Sequence, residues 1–258
     1  MNRVLILALA TALVAGAAYA DLGSVIASFP APADYPLALA RANNDMYMFV
    51  YCNTSPYNIY QIHTSTGSIY TSYVSSMRYH TRGLSYDWGT NLWVGNYSND
   101  YIYRTDYRNG SIRSFFLARH DMSGGLAIEG GRGGYDPQAI WASTTSSPTG
   151  VWRHHLTTGS IYRSFNPGRA ACDLAWDYEN ELIWAGAAGS DFIYGYKTTG
   201  SVVASFHRPA SYPWGMCYYE RVLWIACTTP THRIYKVDCP INVSVTPTSV
   251  GNIKALYK

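Results

Sequence analysis

A short Gly-Ser segment occurs five times along the chain, each time followed by a run rich in apolar residues. The copies are LGSVIASF from Leu22, TGSIYTSY from Thr66, NGSIRSFF from Asn109, TGSIYRSF from Thr158 and TGSVVASF from Thr199. Their serines, at positions 24, 68, 111, 160 and 201, are 44, 43, 49 and 41 residues apart. A repeat of this length is typical of a β-propeller, in which each blade is a four-stranded antiparallel sheet.

One unit, beginning at Gly83, contains four segments with the composition of strands. They are GLSYD, NLWVGN, YIYRTD and GSIRSFF, and a later unit repeats the order as DLAWD, LIWAGA, FIYGYK and GSVVASF. All are short and rich in aromatic and β-branched residues, with Gly, Asn and Asp at the turns. We expect the first segment of each unit to be the innermost strand and the Gly-Ser segment to be the outermost.

The last unit has only three such segments. They are GMCYY, VLWIAC and RIYKVD, which ends at Asp238, and the missing fourth is the copy that stands alone at residues 22–29. Pairing these two segments joins the ends of the chain in one blade and leaves no large open sheet edge. The sequence therefore predicts an all-β, five-bladed β-propeller whose last blade is closed by the N-terminal strand.

Two positions recur inside the predicted strands. A large aromatic residue in the second strand is expected to pack between blades, and a small residue in the innermost strand is expected at the crowded axis. The aromatic position holds Phe49, Trp93, Trp141, Trp184 and Trp224, and the small position holds Ala40, Ser85, Ala127, Ala175 and Cys217.

The chain divides into three segments. Residues 1–20 combine a positive start, an apolar run from Val4 to Gly16 and an Ala-Tyr-Ala site, which predicts a secretory signal peptide; an uncleaved membrane anchor is the alternative. Residues 21–239 form the predicted propeller, and residues 240–258 form a C-terminal tail. We therefore expect a secreted, periplasmic or cell-surface protein with no membrane span after cleavage.

Composition limits the class of partner. Charged residues make up 14% of the chain and aromatic residues 15%, which favours strands over disorder. The formal net charge of +3 is too small to indicate nucleic acid as a partner.

Five cysteines follow the predicted signal peptide, at positions 52, 172, 217, 227 and 239. Cys52 and Cys227 align in neighbouring blades and are candidates for a disulfide; the alternative is that their strands lie beyond the Cα–Cα limit of about 7 Å for one. No clustered Cys and His spacing indicates a structural metal, and we expect neither a metal nor a cofactor.

Charges sort between the two faces of the predicted propeller. The top face carries the loops that join the fourth strand of one blade to the first strand of the next, and the bottom face carries the first-to-second turns. Basic residues of the top loops are Arg78, His80, Arg82, Arg119, His120, Arg169, His207 and Arg208. Acidic residues of the bottom turns are Asp45, Asp87, Glu129, Asp136, Asp177, Glu179, Glu181 and Glu220, half of the 16 carboxylates in the chain.

These top-face residues, with Trp214, are the candidate ligand-binding residues. A concave basic surface attracts anions, Arg binds carboxylate, sulfate or phosphate in a bidentate manner, and aromatic neighbours such as Tyr79, Tyr35, Tyr212 and Trp214 offer faces for sugar rings. The sequence thus favours a non-catalytic binding or surface protein for an anionic glycan or cell-surface polymer. Solvated loop charges with no ligand are the plain alternative.

Two other functions fit the same pattern. An extracellular carbohydrate-active hydrolase or lyase would need two or more carboxylates in the top loops, and Asp34, Asp121 and Asp173 are the candidate catalytic residues. A subunit of an extracellular assembly is the third hypothesis, because faces of opposite charge favour head-to-tail stacking of copies.

The units LWVGNYSNDYIYRTDYRNGSIRSF and LIWAGAAGSDFIYGYKTTGSVVASF resemble the repeats of secreted bacterial propellers of the YVTN, YncE and NHL type. The resemblance covers Leu22 to Asp238 and implies the fold. That family includes lactonase-like enzymes with metal-binding carboxylates and Asn, a set with no match in this chain, as well as many binding or surface proteins. The tail CPINVSVTPTSVGNIKALYK resembles C-terminal export or attachment tails; a disordered end or a strand packed on the propeller is the alternative.

Overall fold

The computed structural model describes residues 22–42, 46–130 and 139–239. Within these ranges the chain forms five four-stranded antiparallel sheets, the blades of a propeller. Blade 1 contains β2 (Pro36–Arg41), β3 (Tyr47–Cys52), β4 (Asn58–His63) and β5 (Ile69–Val74). Blade 2 contains β6 (Thr81–Tyr86), β7 (Asn91–Asn96), β8 (Tyr101–Asp106) and β9 (Ile112–Leu117). Blade 3 contains β10 (Leu126–Glu129), β11 (Ala139–Ser143), β12 (Val151–His155) and β13 (Ile161–Phe165). Blade 4 contains β14 (Ala171–Asp177), β15 (Leu182–Ala187), β16 (Phe192–Lys197) and β17 (Val202–His207). Blade 5 contains β18 (Ser211–Tyr219), β19 (Val222–Thr229), β20 (Arg233–Asp238) and β1 (Val25–Pro30).

The last blade is closed by the N-terminal strand, as predicted. Strand β1 pairs antiparallel with β20, with Ser28 opposite Tyr235 and Pro30 opposite Arg233. The backbone N–H of Gly23 extends this pairing by donating to the carbonyl oxygen of Asp238 at 2.9 Å. The five-bladed architecture inferred from the repeat is therefore confirmed.

The two recurrent positions are paired with each other in every blade. The small residue of the innermost strand lies directly opposite the aromatic residue of the second strand, and all ten side chains are buried. The pairs are Ala40 with Phe49, Ser85 with Trp93, Ala127 with Trp141, Ala175 with Trp184, and Cys217 with Trp224. The small residues also line a narrow axial cavity of about 40 Å³. The bulk of each blade core thus comes from its second strand, which leaves the five inner strands close together at the axis.

The Gly-Ser turn that defines the repeat is a contact between blades. Gly67 has a φ of +74°, and a Cβ built there would lie 2.4 Å from the ring of Phe29 in the preceding blade. The same contact recurs around the ring, each glycine facing the aromatic residue that ends the previous outer strand. The other pairs are Gly23 with Phe206, Gly110 with Tyr73, Gly159 with Phe116, and Gly200 with Phe165. Glycine is needed for both the left-handed backbone and the close approach. This explains why the glycine and the final aromatic residue of the motif recur together.

All five cysteines are buried free thiols. The Sγ atoms of Cys52 and Cys227 each lie near the carbonyl oxygen of a loop residue, Ala33 and Ala210 respectively, and burial raises the pKa of both thiols to about 12. Of the two alternatives for Cys52 and Cys227, the structure shows the unbridged one.

Parts of the sequence-based description lie outside the described residues. These are the predicted signal peptide, residues 1–20, the C-terminal tail, residues 240–258, and the bottom-turn residues Asp45 and Asp136. No helix in the described part of the chain is long and apolar enough to cross a membrane.

Candidate functional site

Arg82 lies at the centre of the top face. It is the second residue of β6 in blade 2, and its guanidinium lies over two aromatic rings, 5.1 Å from the centre of Tyr97 and 5.5 Å from the centre of Trp214. Such contacts hold a cation over the electron-rich faces of the rings. The half-buried guanidinium has no acidic partner among the described residues, and burial lowers its pKa.

The surroundings of Arg82 come from four of the five blades. Trp214 belongs to blade 5 and Tyr97 to blade 2, while Tyr51 of blade 1 and Cys172 of blade 4 are close enough to raise the pKa of Arg82 against the effect of burial. Burial raises the pKa of the Cys172 thiol to about 12, and the nearby charges of Arg208 and Arg82 act in the opposite direction. Ring closure therefore brings together residues that are far apart in the sequence.

Aromatic rings continue from Arg82 toward the seam between blades 1 and 2. His80 lies 5.3 Å from Tyr97, Tyr79 lies 3.8 Å from His80, and Tyr57 lies 5.8 Å from Tyr79. We call Trp214, Tyr97, His80, Tyr79 and Tyr57 the aromatic row. Tyr79 is exposed and the other members are half-buried, so the row offers ring faces and edges beside a single central cation.

The remaining basic candidates differ in how far they are engaged. Arg208 forms an ion pair with Asp191 at 2.7 Å, and Arg169 lies 3.8 Å from the centre of the Tyr194 ring. Arg78 begins a one-turn 3-10 helix (Arg78–His80), and Arg119 lies in a loop; both are exposed and have positive φ values. His207 packs 4.1 Å from Phe192. Among these basic residues, Arg82 is thus the one whose guanidinium lies over two aromatic rings and has no acidic partner in the described part of the chain.

His120 faces inward and forms a buried pair with His154. Their Nε2 atoms are 2.8 Å apart, and His120 stacks on Trp152 at 3.9 Å. Burial is the main cause that lowers the pKa of both imidazoles, that of His154 to about 4. Both rings are therefore neutral at physiological pH, and they connect a top loop to the third strand of blade 3.

The three carboxylates of the enzymatic hypothesis have different environments. Asp173 is completely buried; its two oxygens accept the backbone N–H groups of Leu174 at 2.8 Å and Met216 at 2.6 Å, and burial raises its pKa well above the ordinary value. Asp34 is exposed beside His232, with 3.6 Å between Oδ1 and Nε2. Asp121 accepts the hydroxyl of Ser123 at 3.1 Å. Asp173 binds inner strands to one another, and a ligand would have to separate those strands to reach it.

Two of the described carboxylates of the bottom turns, Asp177 and Asp87, bind backbone groups of their own turns. Asp177 accepts the backbone N–H groups of Glu179 and Asn180, both at 3.0 Å, and the indole N–H of Trp184 at 3.4 Å. Asp87 accepts the N–H groups of its own turn at 3.1 Å. Their place in one class of turn therefore has a structural explanation. No group of three or more metal-ligating side chains occurs among the described residues.

Sequence reasoning did not identify Tyr97, Tyr57 or His154 as part of this region. Tyr97 lies in the second-to-third loop of blade 2, where the pattern NYSND marks a turn but gives no sign of the ring above Arg82. His154 has the spacing of an ordinary strand residue. Only the inter-blade geometry reveals these contacts.

The comparisons with known proteins agree with the fold. The structure of Myxococcus xanthus glutaminyl cyclase is similar to this one with a TM-score of 0.63 and 13% identity, covering 85% of this chain and 98% of that chain. A chain of a nidogen–laminin complex is similar with a TM-score of 0.53 and 16% identity, covering 76% of this chain and 73% of that chain. No protein-family model and no curated protein matches the sequence. At these identities the likeness shows a β-propeller fold and assigns no site residue.

Proposed function

We propose that this propeller is a non-catalytic recognition protein of the cell exterior that binds anionic glycans on its top face. The observation that carries the proposal is the Arg82 guanidinium, which lies between Tyr97 and Trp214 with no acidic partner among the described residues. Burial disfavours its charged form, and an anion placed against it would offset that penalty.

The aromatic row favours a sugar polymer over a small inorganic anion. Its rings extend from Trp214 at the axis to Tyr57 at the seam of blades 1 and 2, so successive sugar rings have apolar faces to cover. A carboxylate or sulfate on one sugar would bind Arg82 through charge-assisted hydrogen bonds. Arg78 and Arg119, exposed in neighbouring top loops, would strengthen the attraction at longer range.

The enzymatic alternative has less support. A hydrolase or lyase needs two or more carboxylates at one substrate, and Asp173, one of the three candidates, is completely buried and hydrogen-bonded to the backbone. Assembly through opposite faces also has less support, because Glu129 and Asp177 on the bottom face are engaged inside their own subunit. Light scattering at low and high salt tests that assembly directly.

Retention on polygalacturonate and heparin beads tests the proposal. Arg82→Gln removes the charge and keeps a polar side chain, and we expect it to weaken binding about 10- to 100-fold, the equivalent of one lost charge-assisted hydrogen-bonding group. Wild-type binding should weaken between 0.1 and 1 M salt, because the Debye length falls from about 10 Å to about 3 Å.

The matched control is Arg104→Gln. Arg104 is a partly exposed arginine of blade 2 that lies over Trp93 and interacts with Asp87 on the bottom face. The proposal requires that this variant bind the beads like the wild type. Equal retention of the wild type and Arg82→Gln would overturn it, as would equal losses in the two arginine variants.

A further inference from the structure

A separate cleft of about 260 Å³ lies between blades 3 and 4 on the bottom face. Its volume is just below the range of about 300–1,000 Å³ that is usual for drug-sized ligands, which suits a single small polar molecule. Blade 3 and blade 4 each contribute three residues. The lining residues are Glu129, Arg153, Arg163, Trp176, Glu181 and Thr198.

Arg163 departs from the repeat that explains its neighbours. The fifth residue of the motif, counted from its glycine, is Ala27, Thr71, Ser114 and Ala204 in the other four copies, and only here is it a long charged side chain. Strand pairing confirms this alignment, because each of these residues lies opposite the same position of the third strand in its blade. The other four blades form the same outer strand with a small residue at this position, so the strand itself does not require an arginine there.

Arg163 also lies opposite a residue of the same charge. Its cross-strand partner is Arg153, and like charges directly opposite each other are destabilising. Arg153 is compensated, because Glu129 accepts its Nε at 2.5 Å and its Nη2 at 3.0 Å while also accepting the indole N–H of Trp141. Arg163 has one hydrogen bond, to the hydroxyl of Thr198 at 3.0 Å, and no acidic partner in the described part of the chain.

The opposite wall supplies an acceptor and an aromatic ring. Glu181 is exposed at the blade 4 turn, has a positive φ of 54°, and forms no ion pair with Arg163 although both line the same cleft. Trp176 is half-buried between them and the axial cavity. The cleft thus presents an uncompensated guanidinium, an uncompensated carboxylate and an indole, each from a different turn or strand.

We propose that this cleft is a second binding site, for one carboxylated sugar residue of the uronate type. The sugar carboxylate binds the guanidinium of Arg163 in a bidentate manner, which relieves the repulsion between Arg163 and Arg153. Hydroxyl groups of the sugar donate to Glu181, and a face of its ring covers Trp176. The site is on the opposite face from the aromatic row and does not depend on binding there.

Titration with galacturonate, and with galactose as its neutral counterpart, tests the site by calorimetry or by saturation-transfer NMR. The wild type should bind galacturonate at least tenfold more tightly than galactose, because only galacturonate has the carboxylate. Arg163→Ala should abolish this preference. The substitution reproduces the residue found in two other copies of the motif, so the melting temperature should stay equal or rise.

Two further variants make the result specific. Glu181→Gln should weaken binding of both sugars by a similar factor, since it weakens the acceptor for hydroxyl groups. In an Arg82→Gln background, which removes the proposed top-face contact, the preference for galacturonate and its loss in Arg163→Ala should both remain, which separates this site from the proposed top-face function. Equal affinity of the wild type for both sugars would overturn the proposal, and so would a preference for galacturonate that persists when Arg163→Ala is combined with Arg82→Gln.

Discussion

The two faces of the propeller use their charged side chains in opposite ways. On the bottom face, Glu129 binds Arg153 and the indole of Trp141, and Asp177 accepts two backbone N–H groups and the indole of Trp184. On the top face, Arg82 lies over aromatic rings and has no acidic partner among the described residues. Glu129 and Asp177 thus complete their own blades, whereas the role proposed for Arg82 is to bind another molecule.

This difference shows that one charge pattern has two physical origins. In blades 3 and 4 the carboxylate at the end of the innermost strand accepts the buried indole N–H of the second strand, and in blades 2 and 4 a carboxylate at this place caps the following turn. An arginine over the axis has no such role, and its burial is unfavourable without an anion. Segregated charge in the sequence therefore predicts a binding surface only where the charge is not already neutralised within the fold.

The largest expected effect comes from deleting the strand that closes the ring, because both faces depend on the closed ring. Deleting residues 22–30 exposes the edge of β20 and removes Phe29, a buried ring that lies 5.9 Å from Trp224 and against Gly67 of the next blade. We expect loss of cooperative melting and aggregation, measured by calorimetry and light scattering.

Phe29→Ala provides the graded control for the deletion. It keeps the strand and removes one buried ring, so we expect it to lower the free energy of unfolding by about 3–5 kcal/mol while melting stays cooperative. A deletion variant that melts like the wild type would show that β1 does not close the ring in solution.

The next effect tests Asp173 of β14, a candidate catalytic residue that accepts backbone N–H groups as the bottom carboxylate Asp177 does. Asp173→Ala removes the acceptor for the backbone N–H groups of Leu174, Leu126 and Met216, which belong to blades 4, 3 and 5. Each buried N–H left unsatisfied costs about 1–3 kcal/mol, so we expect a loss on the order of 3–5 kcal/mol in urea denaturation. Asp173→Asn keeps one acceptor oxygen, so its stability should lie between those of the wild type and Asp173→Ala. A stable Asp173→Ala variant that has lost an activity would instead favour the enzymatic alternative.

The sequence predicted the architecture because the architecture is repeated. The Gly-Ser turn, the second-strand aromatic and the inner small residue recur since each satisfies the same contact in every blade, as Gly67 and Phe29 illustrate. The lone N-terminal copy could be placed because one blade lacked a strand. Because each recurrent position occurs five times, the sequence alone predicts the number of blades and the strand that closes the ring.

The candidate sites were less predictable because they depend on contacts that occur once. The sequence placed Arg82 in a top loop, but not its position over Tyr97 and Trp214, whose rings come from two blades. It gave no reason to separate Arg208, paired with Asp191, from the unpaired arginines. Arg163 was detectable as a departure from the motif, yet its meaning required the pairing with Arg153.

Acid should destabilise the junction between the top loop and blade 3. Because burial lowers the pKa of His154 from 6.5 to about 4, and that of His120 as well, the unfolded chain binds protons that the folded chain does not. This stability is complete above pH 6.5 and is lost as the pH falls toward 4, with a slope of up to about 1.4 kcal/mol per pH unit for each group. Urea denaturation at intervals between pH 7.5 and 4.5 measures it.

The histidine pair is tested by a variant with the same hydrogen-bonding reach. His154→Asn retains a donor for the carbonyl oxygen of Gly159, which lies 3.0 Å from Nδ1, and has no titratable group. Its stability should depend less on pH than that of the wild type in this window. Parallel pH profiles for the two proteins would contradict the assignment to His154.

The smallest expected effect, that of Glu129→Gln, distinguishes most directly between a structural role for the bottom face and a binding role for the top face. Glu129→Gln keeps an acceptor for the Trp141 indole but removes the charge that holds Arg153, so we expect a loss of about 1–2 kcal/mol in the free energy of unfolding. Because Glu129 also lines the bottom cleft, its effect on polygalacturonate binding is best measured in an Arg163→Ala background, where the cleft no longer competes. There the affinity should stay within about twofold, the size of a surface perturbation of roughly 0.5 kcal/mol. Arg82→Gln in the same background should show the reverse, a large loss of affinity with stability almost unchanged. If Glu129→Gln weakened polymer binding as much as Arg82→Gln, the bottom carboxylates would take part in recognition, and the division of roles between the faces would be wrong.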